Sequence, residues 1–190
     1  MNNRWWRIGA ILACILVWPL CAQEESYPDQ YERIYVPTPQ EVVDEMLKFA
    51  QVGPNDVLYD LGCGDGRIVI SAARLGARGV GIDITPERIQ ESKENAKAAG
   101  VTERVKFINS DFFEVDVSPA TVVALYLLPV TMDKLLPKLQ RELKAGTRIV
   151  SHNYQFSEWK PDKELQLDGR ILYLWTVPQR DSGSNSQKKN

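Results

Sequence analysis

A cluster of three glycines and two aspartates, all within one seven-residue segment, is the part of this sequence most suited to bind a ligand. The segment reads Asp60-Leu61-Gly62-Cys63-Gly64-Asp65-Gly66. Glycines allow a backbone to approach a ligand closely, but this G-x-G-x-G spacing departs from the G-x-G-x-x-G of dinucleotide sites. Asp60 and Asp65 would also repel a pyrophosphate. The segment therefore indicates a ligand with a cationic end, and the alternative is a tight turn with Asp65 capping a helix.

Two further acids follow later strand-like segments. Asp83 stands twenty-one residues after Gly62, a distance at which a carboxylate can accept both hydroxyls of a ribose. Asp111 is followed by Phe112, so this pair could accept an amino hydrogen of adenine and pack on its ring. The alternatives are a helix-entry residue for Asp83, and a loop acid beside a core aromatic for the pair. Because ligands of open α/β sheets bind beyond the carboxyl ends of the strands, the acids together predict one site.

The elements that would position these acids alternate between strand and helix. A capping box at Thr38-Pro39-Gln40-Glu41 predicts that Thr38 caps the first helix, which Gly53-Pro54 ends. Apolar runs predict strands at 56–61, 79–82, 104–108, 121–127 and 147–151. Helical patterns lie at 68–75, from Thr85 to Gly100, and around Leu135–Leu143. This alternation predicts an α/β fold with a parallel sheet covered by helices on both faces.

The sheet is expected to finish with antiparallel strands. Residues 163–167 and 171–177 flank Asp168-Gly169, a two-residue hairpin signal. Residues 179–190 are polar and lack apolar periodicity, which predicts a disordered tail.

Composition limits the classes of function. The 190 residues are 44% apolar and 25% charged, which is ordinary for one globular domain with tails. With 23 Lys+Arg against 25 Asp+Glu, the net charge of −2 argues against a fold-wide positive field for nucleic acid. Three cysteines and one histidine, with no cysteine pair at ligand spacing, argue against a structural metal site.

The first 22 residues have a different character. Arg4 and Arg7 precede an apolar run from Ile8 to Leu20, and Ala22 stands before polar sequence. This pattern predicts a secretory signal peptide cleaved after Ala22, and the alternative is an uncleaved signal anchor. Either would export the protein to the periplasm or outside, or hold it at a membrane. Residues 23–36 are expected to be an extended arm.

The glycine loop with Asp60, Asp83 and Asp111-Phe112 resembles class I S-adenosylmethionine-dependent methyltransferases. Four segments extend the resemblance over roughly residues 36–177: Tyr35–Pro39, Asp60–Ile70, Leu125–Pro129 and Gly146–Ser151. They are similar to the small lysine methyltransferases related to those that modify the adenine nucleotide translocator and the ATP synthase c-subunit. The resemblance implies a Rossmann-like seven-stranded sheet, within a methyltransferase domain over residues 37–178, whose last strand is antiparallel.

The resemblance also implies ligand contacts. Asp60 and the loop backbone would hold the ammonium and carboxylate of the methionine part of S-adenosylmethionine, the loop positions being Gly62, Cys63, Gly64 and Gly66. Asp83 would hold the ribose, while Asp111 and the Phe112 backbone would hold adenine. Thr38 would approach the methionine end, although helix capping alone accounts for a threonine there.

The substrate side is expected near the fourth and fifth strands. Tyr126, Leu128 and Pro129 are candidates for the wall of a lysine slot, and ordinary strand-end packing is the alternative. His152, the only histidine, is a candidate base, although a structural role is the alternative. The absence of an Asn/Asp-Pro-Pro-Tyr stretch argues against nucleobase and glutamine substrates. The expected partner is thus a protein lysine, in a protein that could be membrane-associated, with neither nucleic acid nor metal.

Three other functions compete with a lysine methyltransferase. A non-catalytic binding or scaffold protein of the same fold is suggested by the leader, because S-adenosylmethionine is made inside cells and an exported enzyme would lack it. A small-molecule methyltransferase is a second alternative. An NAD-linked oxidoreductase is disfavoured by the glycine spacing and the loop acids.

Overall fold

The computed structural model describes residues 35–179. The predicted leader at 1–22, the arm up to residue 34 and the tail from residue 180 lie outside the described residues. No helix within residues 35–179 is both long and apolar enough to cross a membrane.

The core of the fold is one seven-stranded sheet. Its strands are β1 Val57–Leu61, β2 Arg78–Asp83, β3 Val105–Asn109, β4 Val122–Leu125, β5 Arg148–His152, β6 Lys163–Leu167 and β7 Arg170–Thr176. They are ordered β3-β2-β1-β4-β5-β7-β6. The pairs from β3 through to β5 are parallel, and β7 is antiparallel to both β5 and β6. The predicted fold class, a mostly parallel sheet with a C-terminal antiparallel hairpin, is confirmed.

Four α-helices cover the sheet on both faces. They are α1 Gln40–Phe49, α2 Arg67–Arg74, α3 Pro86–Ala98 and α4 Pro129–Glu142. Alternate residues of β1 point to opposite faces, so Leu58 joins the apolar cluster of α1 and α2, while Tyr59 and Leu61 join that of α4. Both clusters are shielded from solvent at β1, where Leu58 in the first cluster and Leu61 in the second are at most 1% exposed.

Most predicted elements lie within two residues of the observed ones, because continuous apolar runs mark strands that are buried on both faces. The hairpin at Asp168-Gly169 is confirmed, with φ of 31° and 79° at the two turn residues, as a type I′ turn requires. The strand predicted at 121–127 is shorter in the structure, where β4 comprises only Val122–Leu125.

The prediction that Thr38 caps the first helix is wrong. The helix begins at Gln40, Pro39 occupies the cap position, and no side chain bonds the free amides. The Thr38 hydroxyl lies instead 3.3 Å from Nδ1 of His152, a residue 114 positions away. The Thr38 hydroxyl therefore contacts the buried His152 of β5 and does not cap α1.

Close packing between α2 and β2 leads to the first prediction. A Cβ atom on Gly79 would lie 2.6 Å from Cγ1 and 3.1 Å from the backbone oxygen of Val69. We expect Gly79→Ala to lower the free energy of unfolding by about 1–3 kcal/mol, because a backbone contact cannot yield easily. Gly53→Ala is the control, since nothing lies within 4 Å of its Cβ position. Equal urea midpoints for the two variants would contradict this packing.

Candidate functional site

The carboxylate of Asp60 lies in the middle of the sheet, and no described residue provides a counterion for it. Asp60 is 3% exposed and sits on β1 between Gly81 of β2 and Ala124 of β4. Burial, reinforced by the negative charges of Asp83 and Asp65, raises the pKa of Asp60 to about 8. No donor within residues 35–179 hydrogen-bonds this carboxylate. The position therefore favours a ligand that brings a positive charge or hydrogen-bond donors.

The glycine loop after β1 is fixed by backbone hydrogen bonds. The amides of Gly62 and Cys63 both donate to the carbonyl of Ile82, at 2.8 Å and 2.9 Å. The Cys63 side chain is buried against β2, with its Sγ 2.8 Å from the position of a Cβ on Gly81 and 3.9 Å from the Gly64 carbonyl oxygen, to which the thiol donates. Burial raises the pKa of the Cys63 thiol, which leaves it protonated. Cys63 can therefore serve a ligand through its backbone alone.

The three loop glycines are needed for different reasons. All have positive φ: 88° at Gly62, 52° at Gly64 and 79° at Gly66. A Cβ on Gly66 would collide with Phe107 and Ser92, and one on Gly64 would lie 2.2 Å from the ring of Tyr35. At Gly62 the nearest atom is 3.4 Å away. That atom is Cδ2 of Leu127, at ordinary contact distance, so Gly62 is the least crowded of the three glycines.

The second loop carboxylate is neutralised within the protein. Both oxygens of Asp65 accept hydrogen bonds from the Arg67 side chain, at 2.6–3.0 Å. Burial opposes ionisation of Asp65, but the hydrogen bonds from Arg67 outweigh it and lower the pKa of this carboxyl. The Arg67 amide also donates to Asp65 at 3.2 Å, but Gly66 occupies the N-cap position of α2 and no side chain caps this helix, so the alternative that Asp65 caps it is wrong. The charge of Asp65 is thus balanced by Arg67, whereas Asp60 has no such partner among residues 35–179.

Asp83 connects the glycine loop to the start of α3. Its two oxygens accept the amides of Gly64 and Thr85, each at 2.9 Å. A carboxylate offers about four lone-pair sites, so two remain for other donors such as ribose hydroxyls. The helix-entry role and the predicted ligand role are therefore compatible.

The end of β3 lies beside Asp83. The Ser110 amide donates to the Asp83 carbonyl at 3.1 Å. One oxygen of Asp111 accepts the amide of Phe113 at 2.9 Å, and the other oxygen is not bonded by any described donor. Phe112 is half-buried and packs against the core, with its ring 4.9 Å from that of Phe113. Asp111 can thus offer one oxygen to an adenine amino group, while Phe112 also fills its alternative role in the core.

A second group of residues meets at the ends of β4 and β5. His152 is 1% exposed, and its ring centroid lies 4.2 Å from that of Tyr126. Its Nδ1 faces Thr38, and its buried Nε2 has no partner among the described residues. Burial, followed by the charge of Arg170, lowers the pKa of His152 to about 4, so the ring is neutral at pH 7.

Tyr154 extends this group to three rings, and it was not among the residues predicted from the sequence. Its ring stacks on Tyr126 with centroids 6.0 Å apart. The sequence did offer one indication of this contact, because Tyr154 is an aromatic residue two positions after His152. Pro129 and Tyr154 also line a cavity of about 550 Å³ with part of the loop after β5. Leu128 is 36% exposed beside them. The candidates Tyr126, Leu128, Pro129 and His152 thus share one region of the sheet edge.

Comparison with known proteins identifies the family. A family model described as the ANTKMT methyltransferase domain matches residues 60–163. A protein of Saccharolobus islandicus, named protein-lysine N-methyltransferase, is 46% identical over 75% of this chain and 92% of its own length. The chain belongs to the ANTKMT methyltransferase-domain family.

More distant relatives and solved structures agree on the fold and cofactor. A rat lysine N-methyltransferase named for the ATP synthase c-subunit is 35% identical, but the match spans 67% of this chain and only 59% of that protein. A crystal structure from Salinibacter ruber, described as an RNA methyltransferase in complex with S-adenosyl-L-homocysteine, is 51% identical with a TM-score of 0.76. It covers 80% of this chain and 100% of that chain. This methyltransferase therefore depends on S-adenosylmethionine.

The site fits this cofactor. Asp60, which has no counterion among residues 35–179, suits an ammonium group, and Asp83 keeps two acceptor positions. Among the described residues, no three His, Cys, Asp or Glu side chains are grouped as a metal site would need.

The raised pKa of Asp60 leads to the second prediction. An ammonium ligand binds the ionised carboxylate, so affinity for S-adenosylhomocysteine should rise with pH between 6 and 7.5, by up to about tenfold per unit. Asp60→Asn should remove this slope and weaken binding. Calorimetry in buffers of different ionisation enthalpy should show proton release on binding by the wild type only.

The same group should govern the stability of the ligand-free protein. Since the folded-state pKa of about 8 lies above the ordinary 3.8, the proton on Asp60 stabilises the fold at low pH, and this stabilisation is lost as pH rises through 8. The lowered pKa of His152 has the opposite effect. Its contribution to the stability of the fold is lost only as pH falls below 6.5, the ordinary pKa of histidine. Unfolding between pH 6.5 and 8 therefore isolates Asp60. A wild type and an Asp60→Asn variant with the same pH dependence there would contradict the assignment.

Proposed function

We propose that this enzyme transfers the methyl group of S-adenosylmethionine to the side-chain amine of a lysine in a protein. The observation that carries the proposal is the pair of partly exposed rings of Tyr126 and Tyr154 at the ends of β4 and β5, with the neutral, buried ring of His152 packed against Tyr126. The protein-lysine N-methyltransferase of Saccharolobus islandicus, 46% identical, supports the same substrate.

We further propose the cofactor contacts that were expected from the sequence. Asp60 and the loop backbone would hold the methionine end, Asp83 the ribose, and Asp111 with the Phe112 amide the adenine. The loop contributes through Gly62, Cys63, Gly64 and Gly66. Thr38 would stand between the two halves of the site, since its carbonyl accepts from Arg67 at 2.8 Å and its hydroxyl faces His152.

In this reaction the protein itself forms no covalent bond to the substrate. The bound cofactor supplies an electrophilic methyl group. A new N–C bond forms as the C–S bond breaks, S-adenosylhomocysteine leaves, and the amine loses a proton. The protein must therefore align the nitrogen with the methyl group and exclude water.

The target amine must be neutral before it reacts. A free lysine has a pKa of about 10.4, and an apolar slot lowers it by disfavouring the charged form. The Tyr126 and Tyr154 rings can also hold the alkylammonium by cation–π contact. With a pKa of about 4, His152 is a weak proton acceptor for this amine. Its buried, neutral ring packs against Tyr126 and adds no positive charge beside the slot.

The relative from Salinibacter ruber, described as an RNA methyltransferase, raises RNA as a second substrate class. RNA binding depends on cations that contact phosphates. The cavity beside the aromatic surface contains one charge of each sign, Glu158 and Lys160, and the whole chain carries −2. These charges favour a protein. The non-catalytic scaffold and small-molecule alternatives make different predictions in the same assay.

The substrate class can be tested with the full-length enzyme, radiolabelled S-adenosylmethionine and a cell lysate. We expect label that protease removes and RNase does not, with methyllysine found by mass spectrometry. Label that RNase removes, label confined to small molecules, or no label would each contradict the proposal.

Tyr126 provides a further prediction. Tyr126→Ala should lower kcat/KM for the protein substrate by about 3- to 30-fold, the range of a cation–π contact. The affinity of the Tyr126→Ala variant for S-adenosylhomocysteine should change less than about twofold, because Tyr126 stands on the substrate side. Tyr126→Phe is the matched control and should stay near wild type. Equal losses in cofactor affinity and in turnover would place Tyr126 elsewhere.

We also infer that residues 1–22 export the enzyme or anchor it to a membrane, where a membrane-associated protein could be its substrate. The basic start and the apolar run support this inference. Cell fractionation with sequencing of the mature N-terminus tests it. A start at residue 23 outside the cytoplasm, or at Met1 in the membrane fraction, is expected. A start at Met1 in the soluble cytoplasmic fraction would contradict it.

A further inference from the structure

The segment Tyr35–Thr38, here called the strap, crosses the glycine loop just before α1. The Tyr35 ring fills the space that a side chain at position 64 would need, its Cε2 lying 2.2 Å from the Cβ position of Gly64. Tyr35 is 37% exposed, so one part of the ring covers the loop and another faces solvent.

Charged groups on both sides hold the Tyr35 ring in place. The Arg88 guanidinium carbon lies 4.1 Å from the ring centroid, within cation–π distance. Arg88 is itself held by Glu91 at 2.5 Å. Burial, reinforced by the nearby Asp65 carboxylate, raises the pKa of the Tyr35 hydroxyl. The hydroxyl therefore keeps its proton and can act as a donor toward Asp65.

The other end of the strap is attached to the same loop. Arg67 bonds Asp65 through Nε and Nη2 and donates from Nη1 to the Thr38 carbonyl at 2.8 Å. A planar guanidinium can make these contacts at once, which an ammonium cannot. Both ends of the strap are thus fastened to the loop that we assign to the cofactor.

We propose that the strap is a clamp that retains the cofactor, with Tyr35 as a residue of the cofactor site and Arg67 as its anchor. By covering the edge of the glycine loop, Tyr35 excludes water there and must move before the ligand leaves. The absence of a side chain at position 64 is then required by Tyr35, whereas the cofactor would use only the backbone there. This inference rests on the cofactor alone and is independent of the proposed lysine substrate.

The dissociation of S-adenosylhomocysteine from the full-length protein tests the clamp, and needs no protein substrate. We expect Tyr35→Ala to release the ligand about tenfold faster with little change in association, since most affinity differences lie in dissociation. Tyr35→Phe keeps the ring and should stay within about threefold of wild type. Val36→Ala, at a neighbouring position that is 55% exposed, is the matched control and should have no effect.

A double-mutant cycle tests the reason for Gly64. Gly64→Ala alone should weaken ligand binding by about 30-fold or more, because the new methyl group displaces the ring and position 64 has positive φ. In a Tyr35→Ala background the same change should cost only about threefold, the part due to φ. Strictly additive effects would show that Gly64 serves the cofactor and not Tyr35.

Two further results would overturn the clamp. One is an unchanged dissociation rate in a Tyr35→Ala protein whose thermal unfolding without ligand matches wild type. The other is tighter binding by that variant, which would make the ring an obstacle. If Tyr35→Ala fails to fold, Arg88→Gln removes the cation over the ring and should release the ligand about two- to threefold faster. A wild-type rate in Arg88→Gln would then count against the proposal.

Discussion

The site depends on one buried carboxylate that has no counterion within residues 35–179. Asp60 lies at the centre of the sheet, where burial favours its neutral form. Nearby cations are engaged elsewhere: Arg67 bonds Asp65, and Arg88 contacts Glu91 and Tyr35. Neutralising Asp65 internally keeps its charge from competing for the ligand. The positive end of S-adenosylmethionine is the partner that this arrangement calls for.

The topology of the sheet explains why the other groups meet at this carboxylate. The chain leaves β1 for β2 on one side and returns to β4 on the other, and a cleft opens where the order reverses. Asp83 and Asp111 follow β2 and β3, while Tyr126 and His152 stand at the ends of β4 and β5. Thr38 contacts both sides, since it bonds Arg67 and faces His152. The methyl donor and its acceptor would therefore approach each other across the middle of the sheet.

Local sequence patterns predicted the fold, and they also drew attention to the acids that we propose for the cofactor site, but they could not predict contacts between residues far apart in the chain. Continuous apolar runs marked the buried strands, and two residues of positive φ produced the hairpin at Asp168-Gly169. The pattern around Thr38 also fitted a local cap, and no local rule could reveal that His152, 114 residues away, would take its hydroxyl. The contact between the Tyr35 ring and Gly64 could not be predicted either, because these residues are also distant in the sequence. The role of each glycine became clear only from the atoms around it.

A crystal structure of the full-length protein with S-adenosylhomocysteine tests the central claim most directly, through the distance between the ligand ammonium and the Asp60 carboxylate. The account predicts a charge-assisted hydrogen bond of about 2.7–3.0 Å, direct or through one ordered water. A ligand bound elsewhere, or bound in this cleft with its ammonium turned away from Asp60, would contradict it.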